Sequence, residues 1–408
     1  MELTKEQVDY LLSPKAIRER TKGIYERALN DKTHFQIHEE KLKQVSDFVL
    51  ETIKENYPDL KIPFHSRWGH FKVGGINRVD NLDQSLEKTD LTPLQKAKAK
   101  IDLVVTSVLL DAGAGPDWSY HEESSKKEFN RSEGLGVASF YMFLEGRFSG
   151  LETNPLQADM KGLKGLTTQT FKDCFQVKED NPLVGVEGRV NLINSLGKCI
   201  ENNKTFFPDG RVGGLLDYLQ SNFGNEVEAQ DLLKSVLLSL GSIWPGRIQA
   251  GDVHLGDVWK HSLLDEKEGF DSLVPFHKLS QWLTYSLVEP IEEAGFKILN
   301  PHHLTGLAEY RNGGLLIDKG LISLRDPELL KVSHKPSSEI IIEWRALTIT
   351  LLDQIADIVR ESLGFSAKEF PLAKVLEGGT WWAGRKAAKE KRSDGTPPLK
   401  LDSDGTVF

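Results

Sequence analysis

Residues 92–113 read T-P-L-Q-K-A-K-A-K-I-D-L-V-V-T-S-V-L-L-D-A-G, and this stretch decides the fold class. Threonine followed by proline is a typical helix start, because the hydroxyl caps free amides and proline fits the first turn. The second half, residues 103–110, is apolar nearly all round. It therefore predicts a buried central helix that stops at Gly113, with other elements packed around it.

Helical periodicity dominates the rest of the chain, with predicted helices at 14–30, 38–57, 183–202, 226–240, 276–295 and 339–363. Pro290 should kink or end the helix at 276–295, because proline removes a backbone N–H. Strand signals are short and fall at 71–73, 188–190 and 314–318. We therefore predict a mainly α, compact multi-helix body with a few short strands. It spans residues 1–408 as one domain, with a possible N-terminal helical subdomain at 1–110 and a surface tail at 386–408.

Composition narrows the class of protein. With 39% hydrophobic residues in 408, the chain can bury a sizeable core. A net charge of −9 argues against a nucleic-acid surface, which needs a dense basic patch. Two cysteines fit a reducing, cytoplasmic setting and are too few for a four-thiolate metal site. No run approaches the roughly 18 apolar residues of a membrane helix, so no membrane partner is expected.

The candidate catalytic residues lie in W-P-G-R-I-Q-A-G-D-V-H-L-G-D-V-W, residues 244–259. Two carboxylates and an imidazole between apolar walls can do acid/base work, which makes Asp252, His254 and Asp257 candidates. In an extended segment Asp257 points away from the other two, so the three converge only if Gly256 bends the chain. Asp257 as a helix cap is the alternative interpretation.

Further candidates are aromatic, polar or cationic residues in loops and on one helix face. The substrate-binding candidates are Asp111, Trp118, Glu122, Trp259, His277, Gln281, Tyr285 and Arg311. For Trp118 a role as a core plug is an equal alternative, while Gln281 and Tyr285 share a face at spacing i, i+4. Arg311 is expected on an N-G-G turn that leads into a strand. The phosphate-binding candidates are Arg131, Arg247 and Arg385.

Metal catalysis is not expected. H-S-R-W-G-H (65–70) holds two histidines five residues apart, but metal-binding helices usually space them by four and no third ligand is adjacent. The sequence has no H-E-x-x-H, no phosphate-binding P-loop and no G-x-S-x-G. We predict no metal and no cofactor.

Seven segments give the chain a resemblance to a known family. They are F-H-S-R-W (64–68), L-L-D-A-G-A-G-P-D-W-S-Y (109–120), R-S-E-G-L-G-V-A-S (131–139), A-G-D-V-H-L-G-D-V-W (250–259), F-H-K-L-S-Q-W-L-T-Y-S-L (276–287), E-Y-R-N-G-G-L-L (309–316) and G-G-T-W-W-A-G-R (378–385). With these segments the chain resembles the fungal and bacterial uracil-catabolism family called URC four or Urg three. The resemblance implies a small ribosylated urea substrate, ribosylurea or its 5′-phosphate, and the products urea and ribose or ribose 5-phosphate.

A fainter similarity reaches the queuosine 5′-phosphate N-glycosylase family. P-L-V followed by E-x-R-V (182–190), the segment from Gly256 to Trp259, and L-x-Q-x-L (279–283) carry it. This similarity implies a helical, DNA-glycosylase-like fold and cleavage of an N-glycosidic bond. The chain departs from that family at 276–278, where Phe-His-Lys stands in place of an acidic residue, whereas Asp257 matches.

Both resemblances lead to one hypothesis, an N-glycosyl hydrolase. Asp257 would act as base or stabilise a cation, and His254 or Asp252 would bind or protonate the urea end. Trp118 and Trp259 would wall the pocket, and the three candidate arginines would hold phosphate. Two alternatives stay open: a metal-dependent amidohydrolase that attacks the urea moiety, and a non-catalytic binding or scaffold protein of the pathway.

Overall fold

A computed structural model describes residues 2–244, 248–265 and 269–402, and it confirms a mainly α-helical protein with few, short strands. The chain divides into two compact units built from discontinuous segments. The first unit comprises residues 1–65, 246–281 and 300–408, and the second comprises residues 66–245 and 282–299. No helix among the described residues is long and apolar enough to cross a membrane.

The second unit is built around the predicted central helix, which spans Pro93–Leu109. Thr92 and Gln95 form a reciprocal capping box at its start, and every residue from Ala97 to Leu109 is buried. The other helices of this unit are Arg67–His70, Val79–Glu87, Arg131–Leu144, Met160–Lys164, Thr168–Cys174, Val186–Asn202, Leu215–Phe223 and Ala229–Leu240.

A buried carboxylate ties the central helix to two loops of the same unit. Asp102 is fully buried, and it accepts hydrogen bonds from the backbone N–H of Ala158 at 3.0 Å and of Gly213 at 2.6 Å. Arg211 adds a bond from Nε at 2.9 Å. A buried charge is tolerated only when it is paired and hydrogen-bonded, and Asp102 meets both conditions.

The first unit is organised by the longest helix of the described chain, Glu339–Leu363. The other helices of this unit are Lys5–Leu11, Pro14–Leu29, Leu42–Asn56, Tyr310–Asp318, Leu372–Val375 and Trp381–Lys391, with a π-helical stretch at Leu376–Thr380. The core includes a cluster formed by Ile17, Ile24, Trp259, Val274, Phe276, Ala308, Ile342, Ala346 and Ile349. One further helix, Lys278–Glu293, contains the boundary between the units.

The strands pair two by two. Antiparallel pairs are Phe35–Ile37 with Ile322–Leu324, Ser119–Glu122 with Lys127–Asn130, Gln249–Ala250 with Val253–His254, and Val258–Lys260 with Leu273–Pro275. Parallel pairs are Glu226–Glu228 with Lys297–Leu299 and Ser333–His334 with Lys400–Leu401. Among the described residues, each sheet therefore has only two strands, and the helices form the main body of the protein.

Three strand predictions are wrong. Residues 71–73 lie after a short helix, residues 188–190 lie inside Val186–Asn202, and residues 314–318 belong to Tyr310–Asp318. The last of these is a helix because the Glu309 carboxylate caps the N–H groups of Arg311 and Asn312. The predicted turn at Asn312 is wrong for the same reason.

One of the two outcomes expected at Pro290, an end of the helix, does not occur. The helix Lys278–Glu293 continues three residues beyond Pro290. Gly378 and Gly379 do not stop a helix, but they let it pass close to Ile62 and Val49, which an added Cβ would meet at 2.7 Å. The expected surface tail is partly built into the first unit, where Leu399 is fully buried.

Two helical glycines should respond oppositely to alanine. At Gly313 an added Cβ would lie 2.7 Å from the Trp344 ring, whereas at Gly188 no described atom lies within 4 Å of it. Gly313→Ala should therefore lower the free energy of unfolding by about 1–3 kcal/mol through overpacking. Gly188→Ala should raise it by roughly 0.5–1 kcal/mol, because alanine favours helix. Chemical denaturation of both variants checks this, and destabilisation by both would contradict it.

Candidate active site around Asp257

Asp257 belongs to the first unit and follows a short hairpin and a glycine turn. The strands Gln249–Ala250 and Val253–His254 are joined at Gly251 and Asp252, and Gly251 has a φ of +58°. Gly256 then takes a φ of +67°, a left-handed conformation that glycine adopts without steric cost. Gly256 therefore turns the chain, and Asp257 lies directly before the strand Val258–Lys260.

The Asp257 carboxylate receives four hydrogen bonds. Arg345 donates in bidentate fashion, from Nη1 to Oδ1 at 2.8 Å and from Nη2 to Oδ2 at 2.7 Å. Trp259 Nε1 donates to Oδ1 at 2.7 Å, and the backbone N–H of Lys278 donates to Oδ2 at 3.0 Å. The Arg345 side chain is fully buried, while that of Asp257 keeps 12% of its surface exposed. Asp257 therefore forms the accessible edge of a buried ion pair.

These contacts fix the charge state of Asp257. Burial by itself raises the pKa of this carboxyl, but the charge and hydrogen bonds of Arg345, with those of Trp259 and Lys278, outweigh burial and hold the pKa far below its ordinary value. Asp257 is thus ionised at every working pH. A carboxylate with so low a pKa is a weak base, so the contacts favour the cation-stabilising role over the base role.

His277 lies directly before the helix Lys278–Glu293 and is completely buried. Its backbone has a φ of +48°, and its Nε2 donates to the carbonyl oxygen of Leu11 at 2.8 Å. This bond fixes the tautomer, so Nδ1 carries a lone pair, and Nδ1 has no hydrogen-bond partner in the described part of the chain. Burial lowers the pKa of His277, which keeps the imidazole neutral.

A buried segment of the first unit, residues 304–309, contacts Arg345 and two further polar side chains. Gln281 Oε1 accepts from the N–H of Thr305 at 3.4 Å, Asn312 Nδ2 donates to the carbonyl of Leu307 at 3.1 Å, and Arg345 Nε donates to the carbonyl of Ala308 at 3.4 Å. The N–H of Gln281 in turn bonds the carbonyl of His277 at 2.8 Å. The contacts thus close a ring, and we call Asp257, Trp259, His277, Gln281, Asn312 and Arg345 the Asp257 cluster.

The other candidates of the first unit lie in different surroundings. Asp252 is exposed at the hairpin turn, and His254 contacts Gln249 Nε2 through Nδ1 at 3.0 Å. Neither has a hydrogen bond to Asp257 among the described contacts. Arg311 donates from Nη1 to the carbonyl of Gly395 at 2.7 Å. Arg247 lies outside the described residues.

Arg385 is held by aromatic rings. Its guanidinium carbon lies 4.8 Å from the ring centre of Trp381 and 5.2 Å from that of Trp382. Cation–π contacts of this kind orient an arginine without neutralising it, so they are compatible with both a phosphate contact and a purely structural role.

In the second unit Asp111 belongs to a separate polar group. Its Oδ2 lies 3.1 Å from Arg67 Nη1 and accepts from the Ser132 hydroxyl at 2.6 Å. The same hydroxyl lies 3.1 Å from His70 Nε2. In this group the Asp111 carboxylate accepts from the serine hydroxyl, whereas in a Ser-His-Asp triad the carboxylate orients the imidazole.

The remaining candidates of the second unit have protein partners or are exposed. Trp118 is buried, and its Nε1 donates to the carbonyl of Phe175 at 2.9 Å, which favours the core-plug alternative. Glu122 accepts from Arg78 Nη2 and from the Tyr141 hydroxyl, both at 2.7 Å. Tyr285 is completely buried, and Arg131 is exposed with a φ of +52°.

The two histidines of H-S-R-W-G-H have different partners. His65 Nδ1 contacts Glu377 Oε2 at 2.8 Å, whereas His70 contacts Ser132. Within residues 2–244, 248–265 and 269–402, no three His, Cys, Asp or Glu side chains are arranged to hold a metal ion. Both cysteines, Cys174 and Cys199, are free thiols.

Two residues of the cluster escaped the sequence analysis, Arg345 and Asn312. Arg345 lies 88 positions after Asp257 in a mainly apolar helix segment, I-I-I-E-W-R-A-L (340–347). A charged residue in such a segment is rarely buried unless it is paired, and this was the available signal. Asn312 gave no separate signal, because N-G-G also fits a turn.

The neutral state of His277 predicts a pH effect on stability. Because burial lowers its pKa in the folded protein, the unfolded chain binds the extra proton first, and stability falls as pH drops below the ordinary histidine value. His277→Asn removes this titration, and asparagine tolerates the left-handed backbone. We expect the melting temperature of the unsubstituted protein to fall more than that of His277→Asn between pH 7 and pH 5. Equal falls would contradict this assignment.

The amino-acid sequence matches one family model and two curated proteins along nearly its whole length. A family model described as a protein of unknown function, DUF1688, matches residues 10–408. Uracil catabolism protein 4 of Lachancea kluyveri is 38% identical over 436 aligned positions, covering 98% of this chain and 99% of the relative. Protein urg3 of Schizosaccharomyces pombe is 38% identical over 412 positions, covering 100% of both chains.

Proposed function

This chain belongs to the DUF1688 family, and from that premise we propose that it acts in uracil catabolism as an N-glycosyl hydrolase. Its substrate is ribosylurea or ribosylurea 5′-phosphate. Water replaces the urea nitrogen at C1′, which gives urea and ribose or ribose 5-phosphate. The name of the Lachancea kluyveri relative, uracil catabolism protein 4, supports the pathway, and the Asp257 cluster supports the chemistry.

The observation that carries the proposal is the ionised carboxylate at the accessible edge of the buried cluster. Cleavage of a bond between C1′ and nitrogen passes through a transition state with positive charge on the sugar ring. A fixed negative charge in a site of low dielectric stabilises such a transition state more than the ground state. The four hydrogen bonds hold Asp257 in place, so it needs no reorganisation when the charge develops.

His277 supplies the proton transfer in this proposal. The reaction breaks the bond from C1′ to nitrogen, forms a bond from C1′ to the water oxygen, and moves one proton from water to the leaving nitrogen. A neutral imidazole with an open lone pair at Nδ1 can take that proton and return it. His277 thereby replaces His254 and Asp252 as the group at the urea end, because those two lie on the hairpin and no described hydrogen bond joins either of them to Asp257.

The remaining roles concern walls and phosphate. Trp259 both walls the site and donates to Asp257. Arg385 is the candidate for a phosphate group on the substrate, because a guanidinium group oriented by the Trp381 and Trp382 rings has the geometry to bind phosphate in bidentate fashion. Removing it should therefore affect the phosphorylated substrate and spare ribosylurea.

Carbonyl labelling tests the proposal against an amidohydrolase. With carbon-13 at the carbonyl of the ureide, glycosidic cleavage leaves the label in urea. Attack on that carbonyl instead puts the label in carbon dioxide and releases ammonia. Labelled urea is the expected result, and label in carbon dioxide would refute the proposed bond cleavage.

A further inference from the structure

Two buried amides of the Asp257 cluster each keep one polar atom unpaired. Gln281 uses Oε1 to accept from the N–H of Thr305, which fixes its orientation and leaves Nε2 without a partner among the described residues. Asn312 uses Nδ2 to donate to the carbonyl of Leu307, which leaves Oδ1 unpaired in the same described part. Both side chains are at most 1% exposed. In the described part of the chain, the Gln281 donor and the Asn312 acceptor are therefore fixed in place without a hydrogen-bond partner.

Such atoms are costly, which points to a ligand. A buried polar group without a hydrogen bond costs about 1–3 kcal/mol, and native proteins contain few of them. Gln281 and Asn312 also contact the same buried segment, at Thr305 and at Leu307. A donor and an acceptor beside one segment suit one small group that offers an acceptor and a donor.

We propose that Gln281 and Asn312 recognise the ureide group of the substrate, which rests on the proposed function and extends it to specificity. Gln281 Nε2 donates to the carbonyl oxygen, and Asn312 Oδ1 accepts from the terminal NH2. Ureides carry both groups on one carbon atom, so they satisfy both atoms at once. Donation by Gln281 also stabilises the negative charge that develops on the ureide when C1′ departs from it.

Two substrates and two variants separate these contacts. N-ribosylacetamide keeps the carbonyl and the glycosidic N–H of ribosylurea but replaces the terminal NH2 by methyl. The unsubstituted protein should prefer ribosylurea by at least about 10-fold in kcat/KM, because the methyl leaves the Asn312 oxygen unpaired. Asn312→Leu should bring this ratio close to one. Gln281→Glu, which keeps Oε1 for Thr305, should lower both rates and leave the ratio unchanged.

A matched control addresses folding. Asn194 of the second unit also donates its side-chain amide to backbone carbonyls, at 2.9 Å to Leu163 and 3.1 Å to Leu166. Asn194→Leu should lose comparable stability and keep the substrate preference. An unchanged preference in Asn312→Leu, or a changed preference in Gln281→Glu, would overturn the inference.

Failure of the inference is distinguishable from failure of the proposed function. If the unsubstituted protein cleaves neither substrate, the proposed hydrolysis is wrong. Binding of urea and of acetamide, measured by ligand-observed NMR, then tests whether Gln281 and Asn312 recognise a ureide group. Urea should bind at least about 10-fold more tightly than acetamide, and Asn312→Leu should remove the difference. Equal binding of the two amides by the unsubstituted protein contradicts the recognition.

Discussion

Replacing Asp257 with asparagine should lower kcat/KM for urea release by about 100-fold or more, because it removes the charge that stabilises the sugar cation. The change also leaves Arg345 buried without its carboxylate, and losing one partner of a buried pair costs about 3–5 kcal/mol of stability. Activity must therefore be measured well below the melting temperature of the variant, with folding checked by circular dichroism. A folded Asp257→Asn protein with a rate near that of the unsubstituted protein removes Asp257 from the mechanism.

A second bidentate pair of the first unit provides the control. Asp318 accepts from Arg392 Nη1 at 2.8 Å and from Nη2 at 2.6 Å, and the Asp318 side chain is 3% exposed. Asp318→Asn should lose a similar amount of stability and keep its activity. If both variants lose activity equally, the effect of Asp257→Asn is structural.

Asp102→Ala should have the largest effect on the stability of the second unit, a loss of about 3–5 kcal/mol. It leaves Arg211 without its carboxylate and leaves the N–H groups of Ala158 and Gly213 unpaired in a buried place. Hydrogen exchange of the central helix Pro93–Leu109, together with the denaturation midpoint, measures the effect in this unit.

The control for Asp102 is an exposed acidic residue of the same unit. Asp83 lies 2.8 Å from Lys100 Nζ, and its side chain is 41% exposed. Asp83→Ala should cost less than about 1 kcal/mol, because an exposed carboxylate contributes little and Lys100 keeps its second partner, Glu293, at 2.5 Å. Equal losses from both variants would show that burial of Asp102 is not the reason for its effect.

The helical scaffold could be predicted from the sequence because its signals are local. The central helix carries its own start, T-P, and an apolar segment that has to be buried. The helix Tyr310–Asp318 was not predicted from the sequence, because the glycines of N-G-G favour a turn and the capping role of Glu309 was not considered. Its formation depends on Glu309 capping the first turn and on the Trp344 ring beside Gly313, and the second of these is a tertiary contact.

The candidate site could be predicted in part. Asp257 and Trp259 were singled out from one segment, and the structure brings them together with His277 and Gln281. Arg345 could not be placed beside them, since no local pattern links residues 88 positions apart. The role of each candidate residue stays a prediction, and family membership is the part of the functional inference that is confirmed.

The most direct measurement is urea release by the purified protein from ribosylurea and from ribosylurea 5′-phosphate. The proposed N-glycosidic cleavage predicts stoichiometric urea and free sugar from at least one of them, and the faster substrate shows whether phosphate is recognised. Binding of either compound by folded protein without any urea would contradict the account and favour a non-catalytic role. Ammonia in place of urea would contradict it in favour of an amidohydrolase.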